Sequence, residues 1–168
     1  MFIGHFALGF AAKRAAPRVN LGTLFAAAQL PDLIWPVLVA AGVEQVAIAP
    51  GDTAFTPLEF ISYPWSHSLV LGAVWGLAFA ALHRLRTGNR SAMFLLVALA
   101  LSHWLLDFLT HRPDLPLVPG GQRYGLGLWN SVPLTIAIES DLFGTGVGLY
   151  AQATRPRTPT GRWGVVSL

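Results

Sequence analysis

The run SAMFLLVALALSHWLLDFL, residues 91–109, decides the fold. It is nearly all apolar, and as a helix it spans about 28 Å, enough to cross the hydrocarbon core of a bilayer. Two residues do not belong in hydrocarbon: His103 and Asp107. A charged group at mid-bilayer costs about 2.5–3.5 kcal/mol on insertion scales, so an acidic residue there points to a function. His103, Asp107 and the next histidine, His111, are spaced i, i+4, i+8, which keeps them on one helix face.

Three further runs are long and apolar enough to span: residues 19–43, 64–82 and 132–151. A fifth run, residues 2–12, is too short to cross alone. It spans only if extended past Lys13 and Arg14, which can reach to the interface. Pro31 and Pro36 each remove a helical hydrogen bond, so the second segment is expected to be broken. The expected architecture is an all-α integral membrane bundle of four to five segments. It occupies a membrane-embedded domain of residues 1–153 and leaves a cytoplasmic tail at 154–168.

Composition agrees. The chain of 168 residues is 54% hydrophobic and only 11% charged, against about 25% charged in a soluble domain. There are no cysteines, which excludes disulfides and thiolate metal sites. Of the eleven Lys and Arg, nine fall in three places: Lys13, Arg14 and Arg18; Arg84, Arg86 and Arg90; Arg155, Arg157 and Arg162. Only Arg112 and Arg123 lie elsewhere. That alternation places the N-terminus outside the cytoplasmic membrane and the C-terminus in the cytoplasm. It points to the bilayer as partner and not to nucleic acid. Residues 44–63 and 110–131 then face outward, and the second, rich in Pro and Gly, is expected to fold over that end. Met1 is read as the start of the mature chain, since MFIGHFALGF lacks a basic signal-peptide start.

The polar residues of the spans share one layer. His5 begins the first segment, Asp32 sits midway along the second and His67 lies three residues into the third. His103, Asp107 and His111 rise along the fourth, and Glu139 occupies the outer half of the fifth. Asp141 points away from Glu139. His5, Asp32, His67, His103, Asp107 and His111 are therefore candidate ligands of a divalent metal. Asp107 and Glu139 are candidate proton acceptors. Ligands of this type without Cys suit zinc first, then manganese or another divalent ion. His103 and His111 are about 12 Å apart along the axis, too far to share one ion; two ions with Asp107 between them would fit. Ser66 and Ser68 flank His67 and are placed to orient it.

The order GH, LPD, SHS and SHxxxD resembles the bacterial membrane-bound metal-dependent hydrolases. These are small inner-membrane proteins, some described as binding the LexA repressor. The resemblance runs roughly from Met1 to Ala151 and implies that His5, Asp32, His67, His103 and Asp107 bind metal. The family often has two aspartates close after the proline, where this chain has only Asp32. A looser likeness to zinc-dependent phospholipase C rests on its His-x-x-x-Asp helix. Both imply hydrolysis, most simply of a phosphoester or lipid-linked substrate entering from the bilayer. The alternatives are a metal-ion or proton-coupled transporter and a non-enzymatic scaffold with a structural metal. Neither an internal repeat nor a polar stripe along the inner halves supports a transport path.

Overall fold

The computed structural model describes residues 1–155. Most of these are in seven α-helices, with two short antiparallel ladders between them. Helix α1 (Gly4–Ala15) carries Lys13 and Arg14 in its last turn, where cations favour the carbonyl end. Asn20 starts α2 (Leu21–Ala28), its side chain accepting the Thr23 N–H at 2.7 Å. The chain then breaks at Gln29, and α3 (Leu30–Ala40) leaves at 59° to α2. Pro31, in the first turn of α3, has no N–H to carry the α2 ladder onward.

Two strands, β1 (Gln45–Ile48) and β2 (Leu58–Ser62), pair antiparallel. A single turn, α4 (Pro64–His67), follows, and Ser68 both ends it and caps α5 (Leu69–Thr87) through Leu71 N–H. Gly88, at φ +70°, closes α5 in the left-handed conformation that glycine adopts without strain. After α6 (Ala92–Thr110) come β3 (Leu115–Pro116), β4 (Arg123–Tyr124), a 3-10 turn at Leu128–Asn130, and α7 (Val132–Ala153).

Among the described residues two helices, α5 and α6, are long and apolar enough to cross a membrane. The bent pair α2–α3 makes a third if it is one span. Helix α7, expected as a span, is not among them. Their outer faces carry bare apolar side chains such as Val74 and Leu77 on α5 and Phe94 on α6. The expectation of an all-helical chain meets two hairpins, both in the Pro- and Gly-rich stretches 44–63 and 110–131. Of the tail at 154–168, all but Thr154 and Arg155 lie outside the described residues.

Helix α6 packs against α5, α2 and α1, and α1 lies between α2 and α7. Small residues bring these helices close. A Cβ on Gly146 of α7 would sit 2.4 Å from the Ala7 carbonyl oxygen of α1, a backbone atom that cannot yield. One end of the bundle holds an aliphatic core of Leu24, Ala27, Ala80, Leu96 and Leu99. Over the other end the two hairpin stretches fold together around Phe60, Tyr63, Leu115 and Trp129. Phe55 N–H donates to Trp129 O (3.0 Å), and Arg112 pairs with Asp52 across them.

Candidate metal centre

Between that aromatic cap and the aliphatic core, five of the residues read from the sequence meet. Helix α1 contributes His5, α3 Asp32, α4 His67, and α6 both His103 and Asp107. All but Asp32 are buried. Two overlapping groups, His5–His103–Asp107 and Asp32–His67–His103, each keep their ligand atoms within 4.8 Å of one another and share His103.

The spacing of four donors decides whether an ion fits. Asp32 Oδ1 is 3.3 Å from His67 Nε2 and 3.6 Å from His103 Nε2. Asp107 Oδ2 is 3.1 Å from His103 Nε2 and 3.8 Å from His67 Nε2. A tetrahedral ion with bonds of about 2.0–2.2 Å has donor-to-donor edges of about 3.3–3.6 Å. These four separations straddle that range, and the donors fall into two groups of three that share His103, not into one group of four. His5 Nε2 lies on the other oxygen, 3.1 Å from Asp107 Oδ1, which also meets the Met1 amino group. The His5 and His103 rings stack at 3.7 Å, nearly parallel.

The outer hydrogen bonds set which ring nitrogens are bare. His103 Nδ1 is 2.8 Å from the Ala28 carbonyl, which can only accept, so the ring proton sits on Nδ1. Its Nε2 has no hydrogen-bond partner among the described residues, is buried, and faces two carboxylates. A lone pair facing carboxylate oxygens is repulsive, so a positive charge, a proton or a metal ion, belongs between them. At His67, Ser66 Oγ lies 2.7 Å from Nδ1 and 2.7 Å from Glu44 Oε2. The hydroxyl gives its hydrogen to the carboxylate and therefore accepts from Nδ1–H. This again leaves Nε2 bare toward the cluster.

Glu44 is a residue the sequence reading did not single out. It is buried, and its Oε1 also accepts from Trp65 and Ser66 N–H (2.8 and 2.9 Å), fixing the turn α4 that holds His67. Nothing local marks it, because it acts across 22 residues through a loop. Ser66 takes the orienting place expected of it; the Ser68 hydroxyl instead caps α5.

His111 and Glu139 stand outside both ligand groups. His111 binds Asp114 and Tyr63 in the cap. Glu139 Oε2 accepts the N–H groups of Phe2, Ile3 and Gly4 (2.9, 2.7 and 3.4 Å). Helix α1 has no side-chain cap of its own, so α7 supplies one. The negative charge also suits the positive end of the helix, one residue before His5. Asp141 is exposed.

A cavity of about 350 Å³ opens beside the cluster. Asp32, His67, Asp107 and His111 form its polar wall, with Phe2, Phe6, Trp35, Pro36 and Phe60 among the apolar ones. Asp32 keeps 42% of its side-chain surface accessible, which makes it the open side of the donor set. No family model, curated protein or solved structure matches this chain, and the donors and the cavity beside them carry the functional reading.

Proposed function

We propose that the protein is a metal-dependent hydrolase of the bacterial cytoplasmic membrane. It is read as a bundle of four to five spans with its site toward the outer face and residues 154–168 in the cytoplasm. One observation carries the reading. Donors from four separate elements converge in two overlapping groups of three, two of the donors with their tautomers set from outside, at the polar wall of an apolar cavity. Packing alone gives no reason to set two carboxylates, one of them buried, among three buried imidazoles. This supports membership of the membrane-bound metal-dependent hydrolases that the motifs resemble.

Asp32, His67, His103 and Asp107 are the proposed ligands, with His5 on the second oxygen of Asp107 and zinc the first choice of ion. The bound ion supplies Lewis acidity to an ester oxygen or to water. Asp107 Oδ1 is already engaged by the Met1 amino group and His5, so Asp32, the accessible carboxylate, is the better placed of the two to accept a proton. Glu139, its Oε2 engaged by three N–H groups, holds α1 and thereby His5. The cavity walls from α1 and α3 are aromatic and apolar, as an acyl chain requires, and Phe2 is 63% exposed at their edge. A lipid or lipid-linked phosphoester entering from the bilayer suits such walls.

Elemental analysis of purified protein tests the centre: one to two equivalents of a divalent ion are expected. His103→Ala and Asp107→Ala should each lower occupancy, and His83→Ala, outside the cluster, should not. Equal metal in all three variants overturns the centre. Turnover of phosphodiester lipids or soluble phosphodiesters by the loaded protein then separates an enzyme from a structural metal site.

A further inference from the structure

The cavity has a polar group that the metal centre leaves unused. His111 ends α6 one turn beyond Asp107, about 6 Å farther along the helix axis. Its Nδ1 lies 3.0 Å from Asp114 Oδ1 and 3.2 Å from the Tyr63 hydroxyl. That hydroxyl donates to the same Asp114 oxygen at 2.5 Å. Asp114 Oδ2 accepts from Arg112 Nε at 3.2 Å, and Arg112 also pairs with Asp52 and, at 3.7 Å, with Glu59.

Donor accounting fixes the ring. Tyr63 gives its one proton to Asp114, and a carboxylate has none to give. The hydrogen on Nδ1 is therefore the imidazole's own. Nε2 is then the position that can take up and release a proton. Among the described residues no hydrogen-bond partner meets Nε2, yet His111 stands on the cavity wall with Asp32, His67 and Asp107. The ring is wedged by Trp129 and Phe60, with centroids at 4.4 and 4.9 Å, so it is held in that pose. A backbone bond from Gly127 N–H to His111 O (2.7 Å) fixes it further. Gly125 must be glycine for this loop to close, since a Cβ there would lie 2.4 Å from the His111 carbonyl oxygen.

We propose that His111 is the proton donor to the leaving oxygen of the ester, and that Asp114 is its positioning residue. This rests on the hydrolytic reading. Water's oxygen bonds to the phosphorus as the bond to the leaving oxygen breaks. The leaving oxygen takes the proton from Nε2. The proton given up by the water passes to solvent, and a solvent proton restores the ring, so one water is added across the ester.

The test compares two phosphodiesters on the full-length, zinc-loaded protein in detergent: hexadecyl 4-nitrophenyl phosphate and hexadecyl ethyl phosphate. Nitrophenolate leaves without a proton; ethoxide does not. His111→Gln should lose about 10²–10⁴-fold on the ethyl ester and under about tenfold on the nitrophenyl ester, with zinc content unchanged. Asp114→Asn should show the same leaving-group pattern with a smaller loss. A second measurement needs no turnover. Diethyl pyrocarbonate, mapped by mass spectrometry, should label His111 in the zinc-loaded wild type and spare His67 and His103. Equal losses on both esters, loss of zinc in His111→Gln, or an unlabelled His111 each overturn the assignment while leaving the hydrolase standing. A wild-type protein that cleaves neither ester overturns the hydrolytic reading and this role with it.

Discussion

Replacing Glu44 with glutamine exchanges one carboxylate oxygen for an amide nitrogen and reverses a chain of hydrogen bonds ending at the candidate metal centre. In the native chain the Ser66 hydroxyl donates to Glu44 Oε2 and accepts from His67 Nδ1–H, each at 2.7 Å. An amide NH₂ in that place donates to Ser66. The hydroxyl hydrogen is then free to turn toward His67 Nδ1, which favours the tautomer protonated at Nε2. A protonated Nε2 cannot bind metal. The amide oxygen still accepts from Trp65 and Ser66 N–H, so turn α4 keeps its shape. Only one charge-assisted bond is lost, and the expected destabilisation is about 1–3 kcal/mol. Loss of an outer-sphere partner of this kind lowers metal affinity about 10–100-fold, or about 1.4–2.7 kcal/mol. Zinc competition against a chromogenic chelator measures the affinity, and thermal unfolding in detergent measures the fold. Ser66→Ala breaks the chain without offering a new donor, so its loss of affinity should be the smaller one. An affinity in Glu44→Gln within twofold of wild type would refute the tautomer argument.

Glu139→Ala should cost about 1–3 kcal/mol in chemical unfolding, because three N–H groups at the start of α1 lose their acceptor, and Glu139→Gln, which keeps an oxygen, should cost less. If the alanine variant unfolds with the wild type, Glu139 is not the cap of α1. Gly146→Ala should cost about 1–3 kcal/mol or more by forcing α7 off the Ala7 backbone, and should lower zinc affinity through His5; a neutral result would mean the two helices are not in contact. Burial, and then the Asp114 carboxylate, push the Tyr63 phenol well above its ordinary value. Below pH 10 this has no effect on stability. Above it the unfolded chain loses the proton first, so stability should fall by about 1.4 kcal/mol per pH unit. Melting curves from pH 9 to 11 should show that fall in the wild type and a shallower one in Tyr63→Phe.

The parts of this molecule that local spacing encodes were legible. His103 and Asp107, four apart on an apolar helix, had to share a face, and Pro31 had to break the segment that carries Asp32. Uncompensated polar residues in apolar runs marked His5 and His67 in the same way. What local spacing does not encode stayed hidden. Glu44 reaches His67 only because the β1–β2 hairpin folds back, and the strands of that hairpin are too short to stand out among prolines and glycines. His111 continues the i+4 series of His103 and Asp107, but α6 ends at Thr110, and the last histidine turns toward Asp114 in the next loop. Glu139 is costly in an apolar helix on any reading; its partners are backbone N–H groups, which leave no trace in a sequence.

The contact between α1 and α7 sets an order of assembly. At about 5–20 residues per second, α1 emerges on the order of ten seconds before the helix that supplies its cap and its Gly146 groove. During that interval α3, α4 and α6 can gather Asp32, His67, His103 and Asp107, while His5 rides on a helix whose first turn has no acceptor. Gathering and closing are therefore separate events: α2 and α6 already offer α1 a packing surface, and the acceptor for its first turn arrives only when the last helix docks. A ribosome stalled after α6 would hold the candidate donors together with the first turn of α1 still uncapped.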